Sequence, residues 1–109
     1  MERFVKGDLV VISYPSFDFK TTKKRPAVII ATTKRGAILC PITTKIISQI
    51  EQINLTNKDL SEGKLKVDSL IIPIWLMTFE YSRILYKLGS VNHSKLNELT
   101  EVVCKLIKQ

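Results

Sequence analysis

With one histidine, His93, in 109 residues, the chain cannot build a two-histidine acid–base pair on its own. Its two cysteines, Cys40 and Cys104, are too few for a disulfide scaffold. Neither has CxxC spacing or a second ligand nearby, and each sits in apolar sequence, so both read as small buried hydrophobes. Glycine-rich phosphate loops, metal-ligand clusters and a Ser-His-Asp set are all missing. The longest apolar stretch, residues 70–77, is far shorter than the roughly 20 residues that cross a bilayer. The opening Met1-Glu2-Arg3-Phe4-Val5-Lys6-Gly7 carries no signal-peptide core. These absences lead us to expect a cytoplasmic protein without a membrane role, a cofactor or a metal.

Positive charge is what the chain has in excess. Lys and Arg number 17 against 10 Asp and Glu, a net charge of +7, which makes a polyanion or an acidic peptide the natural class of partner. The cations cluster: Lys20, Lys23, Lys24 and Arg25 lie together, Lys34 and Arg35 follow, and Lys64 and Lys66 recur later. A hydrophobic share of 45% and a charged share of 25% are those of a folded chain, and the length suits one domain over 1–109.

The pattern predicts a mainly β protein with one terminal helix. Residues 9–14 are β-branched and aromatic and read as a first strand after the Gly7-Asp8 turn. Residues 15–24 carry no period and read as a long loop, in which Phe17 and Phe19 either anchor to the core or offer stacking faces. Strands are expected at 27–33 and 37–42, joined by a turn at Lys34-Arg35-Gly36 with Gly36 at a positive backbone angle. Residues 46–55 read as an edge strand, 56–63 as a polar turn, and 65–74, 75–79 and 84–88 as further strands, the last closed by Gly89. The apolar run 70–77, with Trp75, suits either the core alone or core plus a contact with a twin subunit. From 91 to 109 the apolar residues Leu96, Leu99, Val103, Leu106 and Ile107 recur at helical spacing, with Asn92 as N-cap and His93 on the surface of the first turn.

Arg25-Pro26 is the pivot. Pro26 biases Arg25 toward an extended backbone and has no N–H, so the pair is expected at the first residue of a strand, with the apolar residues 27–30 behind it. If the next two strands form a hairpin about Gly36, Thr43 and Thr44 return beside Arg25. A guanidinium with neighbouring hydroxyls in a basic setting suits a phosphodiester: two N–H donors and an O–H can surround a crowded phosphate while the ribose 2′-OH of RNA attacks it. The alternative is that Lys20, Lys23, Lys24 and Arg25 form only a solvated basic loop.

The order Gly7-Asp8-Leu9-Val10, then Lys24-Arg25-Pro26-Ala27-Val28-Ile29-Ile30, then Pro41-Ile42-Thr43-Thr44-Lys45, then Asp68-Ser69-Leu70-Ile71, and Leu88-Gly89 before a terminal helix resembles the MazF/PemK family of toxin endoribonucleases. The resemblance covers nearly the whole chain. It implies an SH3-like small β-barrel of the MazF, PemK and CcdB type over 1–90, with the helix of 91–109 packed on it. It also implies a homodimer that cleaves single-stranded RNA without metal, leaves a 2′,3′-cyclic phosphate, and is neutralised by an acidic antitoxin. Carried over by position, Arg25 and Thr43 are the catalytic residues, and Lys20, Lys23, Lys24, Thr44 and Lys45 are the expected RNA-binding residues. An Arg-x-Asp pair found in some members is replaced by Ile72 and Ile74, so the general base is left open among Asp18, Glu80 and a lysine of lowered pKa. Two other functions stay open: a catalytically decayed module that binds RNA or an antitoxin, and a gyrase-poisoning toxin, for which Leu106-Ile107-Lys108-Gln109 offers little support.

Overall fold

The computed structural model describes residues 3–15 and 20–109. Eight strands run β1 Asp8–Pro15, β2 Thr22–Thr32, β3 Gly36–Thr43, β4 Ile53–Leu55, β5 Leu60–Glu62, β6 Ser69–Ile71, β7 Met77–Glu80 and β8 Ile84–Val91, followed by helix α1 His93–Lys108. All the strand pairs are antiparallel, in the order β4-β6-β3-β2-β1-β8-β5, with β7 also on β3. The two end strands, β4 and β5, both send side chains into the cluster that packs on α1: Ile53 and Leu55 from one, Leu60 from the other. The sheet therefore curls until its two ends meet over the helix.

Alternation along the central strands separates two cores. One face contributes Leu9, Val28, Cys40 and Ile42, which pack with Leu96, Leu99 and Val103 of α1. The other contributes Val10, Ile12, Ala27, Ile29 and Leu39, closed by Phe79 and Ile84. The helix begins where expected: the Asn92 side chain accepts the Lys95 backbone N–H at 2.8 Å, and the apolar stripe faces inward as far as Val103. Ile107, also expected on that stripe, is exposed.

The central strand differs from expectation in a way that matters for the site. β2 starts at Thr22, so Lys23 and Lys24 lie on a strand instead of in a loop, and Arg25-Pro26 sits inside β2, paired with Ile12 and Val11 of β1. Pro26 is tolerated there because β2 has lost its other neighbour: the β2–β3 ladder ends at Ala27↔Pro41. The Ile29 carbonyl accepts from Gly7 on the β1 side, so by alternation the Pro26 nitrogen faces the β3 side, where no ladder bond is due. Pro41 is the mirror case. Its carbonyl accepts from the Ile72 N–H at 3.0 Å, so its nitrogen faces the gap between β7, whose ladder stops at Leu39, and β6, whose ladder starts at Ile42.

Several predicted strands shrink or shift. The turn occupies residues 33–35, and Gly36 is already the first residue of β3. What requires glycine there is a close approach and not a positive angle, since a Cβ would collide with the Phe79 carbonyl on β7. Only 53–55 of the expected 46–55 strand pairs. Residues before it are tied by Gln52, which bonds the Ile47 backbone in both directions, at 3.0 and 2.6 Å. The polar turn at 56–63 contains a strand the sequence pattern did not predict, β5, and the 65–74 strand reduces to β6. β8 runs on through Gly89, where a side chain would strike the Glu62 carbonyl of β5. Cys40 is buried as expected, whereas Cys104 faces solvent, being on the outer side of α1.

Beneath this sheet the Gly7-Asp8 turn is bolted to β8. Asp8, 2% exposed, accepts the Val5 N–H at 2.9 Å and the Ser90 hydroxyl at 3.4 Å. Lys87 lies 3.5 Å from both Asp8 and Glu62. Burial works against the Lys87 ammonium, but the two carboxylates outweigh it and hold its pKa above the usual lysine range.

Candidate active site

Because the ladder unzips after Ala27↔Pro41, the next positions outward, Arg25 on β2 and Thr43 on β3, stand opposite each other without being joined. A cleft of about 650 Å³ opens there, lined by Arg25 and Thr43 together with Tyr14, Pro41, Ile74, Trp75 and Met77. Pro26, whose missing donor faces β3, ends the ladder on the β2 side, and Pro41 lines the cleft from β3. The juxtaposition expected from the hairpin is thus present, although Arg25 reaches the cleft from mid-strand. The rigidity behind it comes from Ala27, Val28 and Ile29, all fully buried.

The Arg25 guanidinium is exposed and has no ion-pair partner among the described residues. Thr43 accepts the Lys45 backbone N–H at 3.1 Å, which occupies an acceptor position on the hydroxyl and leaves its O–H to donate. A cation with several N–H donors, a hydroxyl and a mostly apolar, partly aromatic wall is the chemistry that takes a phosphate joined to a base.

The other expected RNA-binding residues do not converge on this cleft. Lys23 shares the Arg25 face of β2, but Lys24 alternates to the other face, where its ammonium lies 6.0 Å from the Tyr86 ring. Lys20 precedes β2 and is exposed; Thr44 and Lys45 follow β3, also exposed and outside the cleft lining. Among the base candidates, Glu80 pairs with Gly36 at the far end of β3 from Thr43, about 23 Å along the strand at ~3.3 Å per residue. Asp18, like Phe17 and Phe19, lies outside the described residues. Lys87 has its pKa shifted up and not down. Ile72, at the first Arg-x-Asp position, is fully buried, whereas Ile74 lines the cleft.

Two aromatic wall residues were not singled out as site residues. Tyr14 reads as no more than the end of a strand until its register with Lys23 puts it on the Arg25 face. Trp75 belongs to the 70–77 run, which the fold splits: Ile71, Ile72 and Pro73 are buried, but Ile74, Trp75 and Leu76 are exposed. Their placement follows from the gap between β6 and β7, which no local pattern announces.

This fold is shared with solved toxin structures. A MazE–MazF complex from Deinococcus radiodurans superposes with a TM-score of 0.79 at 15% identity, covering 100% of this chain and 99% of that one. An endoribonuclease in complex with its cognate antitoxin from a mycobacterial species gives 0.76 at 10% identity, covering 97% and 96%. The Mycobacterium tuberculosis toxin MazF-mt6 gives 0.69 at 17% identity, covering 93% and 96%. No curated protein matches by sequence. At such identities the likeness is one of fold, but the family model of PemK-like, MazF-like toxins matches residues 5–107, from the turn that Asp8 bolts down to the last turn of α1. The chain belongs to that family, the PemK-like, MazF-like toxins of type II toxin–antitoxin systems.

Proposed function

We propose that this chain is a metal-independent endoribonuclease that cuts single-stranded RNA in the Arg25–Thr43 cleft. The observation that carries the reading is the meeting of a guanidinium, without an ion-pair partner among the described residues, and a donor hydroxyl across an unzipped pair of strands. The ribose 2′-oxygen attacks the adjacent phosphorus, the bond from phosphorus to the 5′-oxygen breaks, and the products are a 2′,3′-cyclic phosphate and a 5′-OH. One proton leaves the 2′-OH and one reaches the departing oxygen. Arg25 donates to the non-bridging oxygens as charge builds on them, and Thr43 adds a further donor; such contacts are each worth about 100-fold or more in rate. DNA lacks the nucleophile and is spared.

The fold family and the net charge of +7 support neutralisation by an acidic antitoxin that competes for the same cations. Membership of the PemK-like, MazF-like family supports assembly as a homodimer. The test is cleavage of single-stranded RNA in EDTA. Wild-type protein should cut; Arg25→Ala and Thr43→Ala should each lose about 100-fold or more in kcat/KM with an unchanged circular dichroism spectrum. Undiminished cutting by Arg25→Ala would overturn the mechanism.

A further inference from the structure

We propose that Tyr14 and Trp75 are a nucleobase-stacking pair that flanks Arg25 and sets the bases on either side of the bound phosphate; this rests on the nuclease reading and deepens it. The cleft wall is built from four strands side by side. Tyr14 is the last residue but one of β1, Arg25 is on β2, Thr43 on β3, and Trp75 lies two residues before β7, another neighbour of β3. In strand order β1 and β7 stand outside β2 and β3, and both rings line the cleft together with Arg25. Both rings are substantially exposed, Tyr14 at 38% and Trp75 at 46%. Large aromatic surface left open beside an exposed cation has the composition of a single-strand binding groove, where phosphates meet the cation and bases stack on the rings.

Tyr14 is moreover held ready. Its ring packs edge-to-face on Phe79, with centroids 6.3 Å apart and planes at 81°. Phe79 is itself a core residue, and the Arg83 guanidinium lies 5.2 Å from its ring. Arg83 also donates to the carbonyl of Ser13, the residue before Tyr14, at 3.3 Å. Ring and backbone are thus both braced, which limits the ordering cost of binding a base. The placement of Tyr14 rests on the ring, since its hydroxyl has no hydrogen-bond partner among the described residues.

The chain has one tryptophan, so its emission reports Trp75 alone. Titration with mixed-sequence single-stranded DNA, which binds without being cut, should quench that emission, while an abasic strand carrying the same phosphates should leave it unchanged. Tyr14→Ala should weaken DNA binding about tenfold and Tyr14→Phe should retain it, since a stacked base contributes through the ring. With RNA, Tyr14→Ala should raise KM and leave kcat near wild type. Emission indifferent to DNA, equal quenching by the abasic strand, or emission that tracks protein concentration and not DNA would overturn the proposal, the last because a second copy then covers Trp75. Quenching without any RNA cleavage would instead overturn the nuclease reading and leave the stacking site standing.

Discussion

At the scale of single residues, charge and shape separate roles that the sequence runs together. Lys23, Lys24 and Arg25 are consecutive cations, yet alternation sends Lys24 to Tyr86 and leaves Arg25 in the cleft. Arg25→Lys is therefore expected to keep oligonucleotide affinity within a few-fold but to lose most cleavage, because an ammonium cannot present two parallel N–H donors; comparing KM with kcat checks this. The cysteines divide in the same way. Burial pushes the Cys40 thiol up to about 12, and it is fully enclosed, whereas Cys104 is exposed. A thiol reagent at neutral pH should label Cys104 and spare Cys40 until the protein unfolds, as peptide mass mapping would read out. Apolar flanks suggested the same fate for both cysteines, but a helix has an outside, and position 104 lies on it.

Among the elements, those with a local cause are legible and those made by a neighbour are not. Asn92 caps α1 through its own side chain, so Asn92→Ala should cost about 1 kcal/mol, roughly 4–8 °C in Tm for a domain of this size. Leu99, fully buried under the sheet, should cost about 2–5 kcal/mol on change to Ala, read by denaturant unfolding. Strands β1 and β2 were legible because their apolar runs are long. β5, three residues with little apolar content, exists only because β8 offers it an edge and Gly89 lets the backbones approach. Gly36 shows the same limit: its turn-like neighbours suggest a positive angle, but the demand comes from Phe79, far along the chain.

For the whole molecule, alkaline stability depends on the Asp8–Lys87–Glu62 bridge and on Cys40. Lys87 binds its proton more tightly in the folded state than the usual 10.5, so the stability it lends is complete below that pH and is lost as pH rises through its raised value. Cys40 acts in the same direction: its stabilisation is complete below 9 and drains away between 9 and about 12, as the unfolded thiol ionises first. Denaturant midpoints should hold steady up to about pH 9 and fall beyond it, and Lys87→Met should flatten the upper part of that fall. With a net charge of +7, affinity for single strands should drop steeply as salt rises, in contrast to the charge-neutral stacking step.

By itself the sequence determined the excess of positive charge, the mainly β character, the capped helix and the nearness of Arg25 to Thr43, because each follows from composition or from a local pattern. Tertiary structure decided what lies between and around that pair. Pro26 and Pro41 lie on different strands, and only the tertiary arrangement turns the first missing donor toward β3, where the β2–β3 ladder ends, and the second toward the gap between β6 and β7. The break between β6 and β7 leaves Trp75 at the cleft, whose wall Tyr14 of β1 also joins. Backbone hydrogen bonds that a chain does not make depend on which strands become neighbours, and that is settled by packing at a distance.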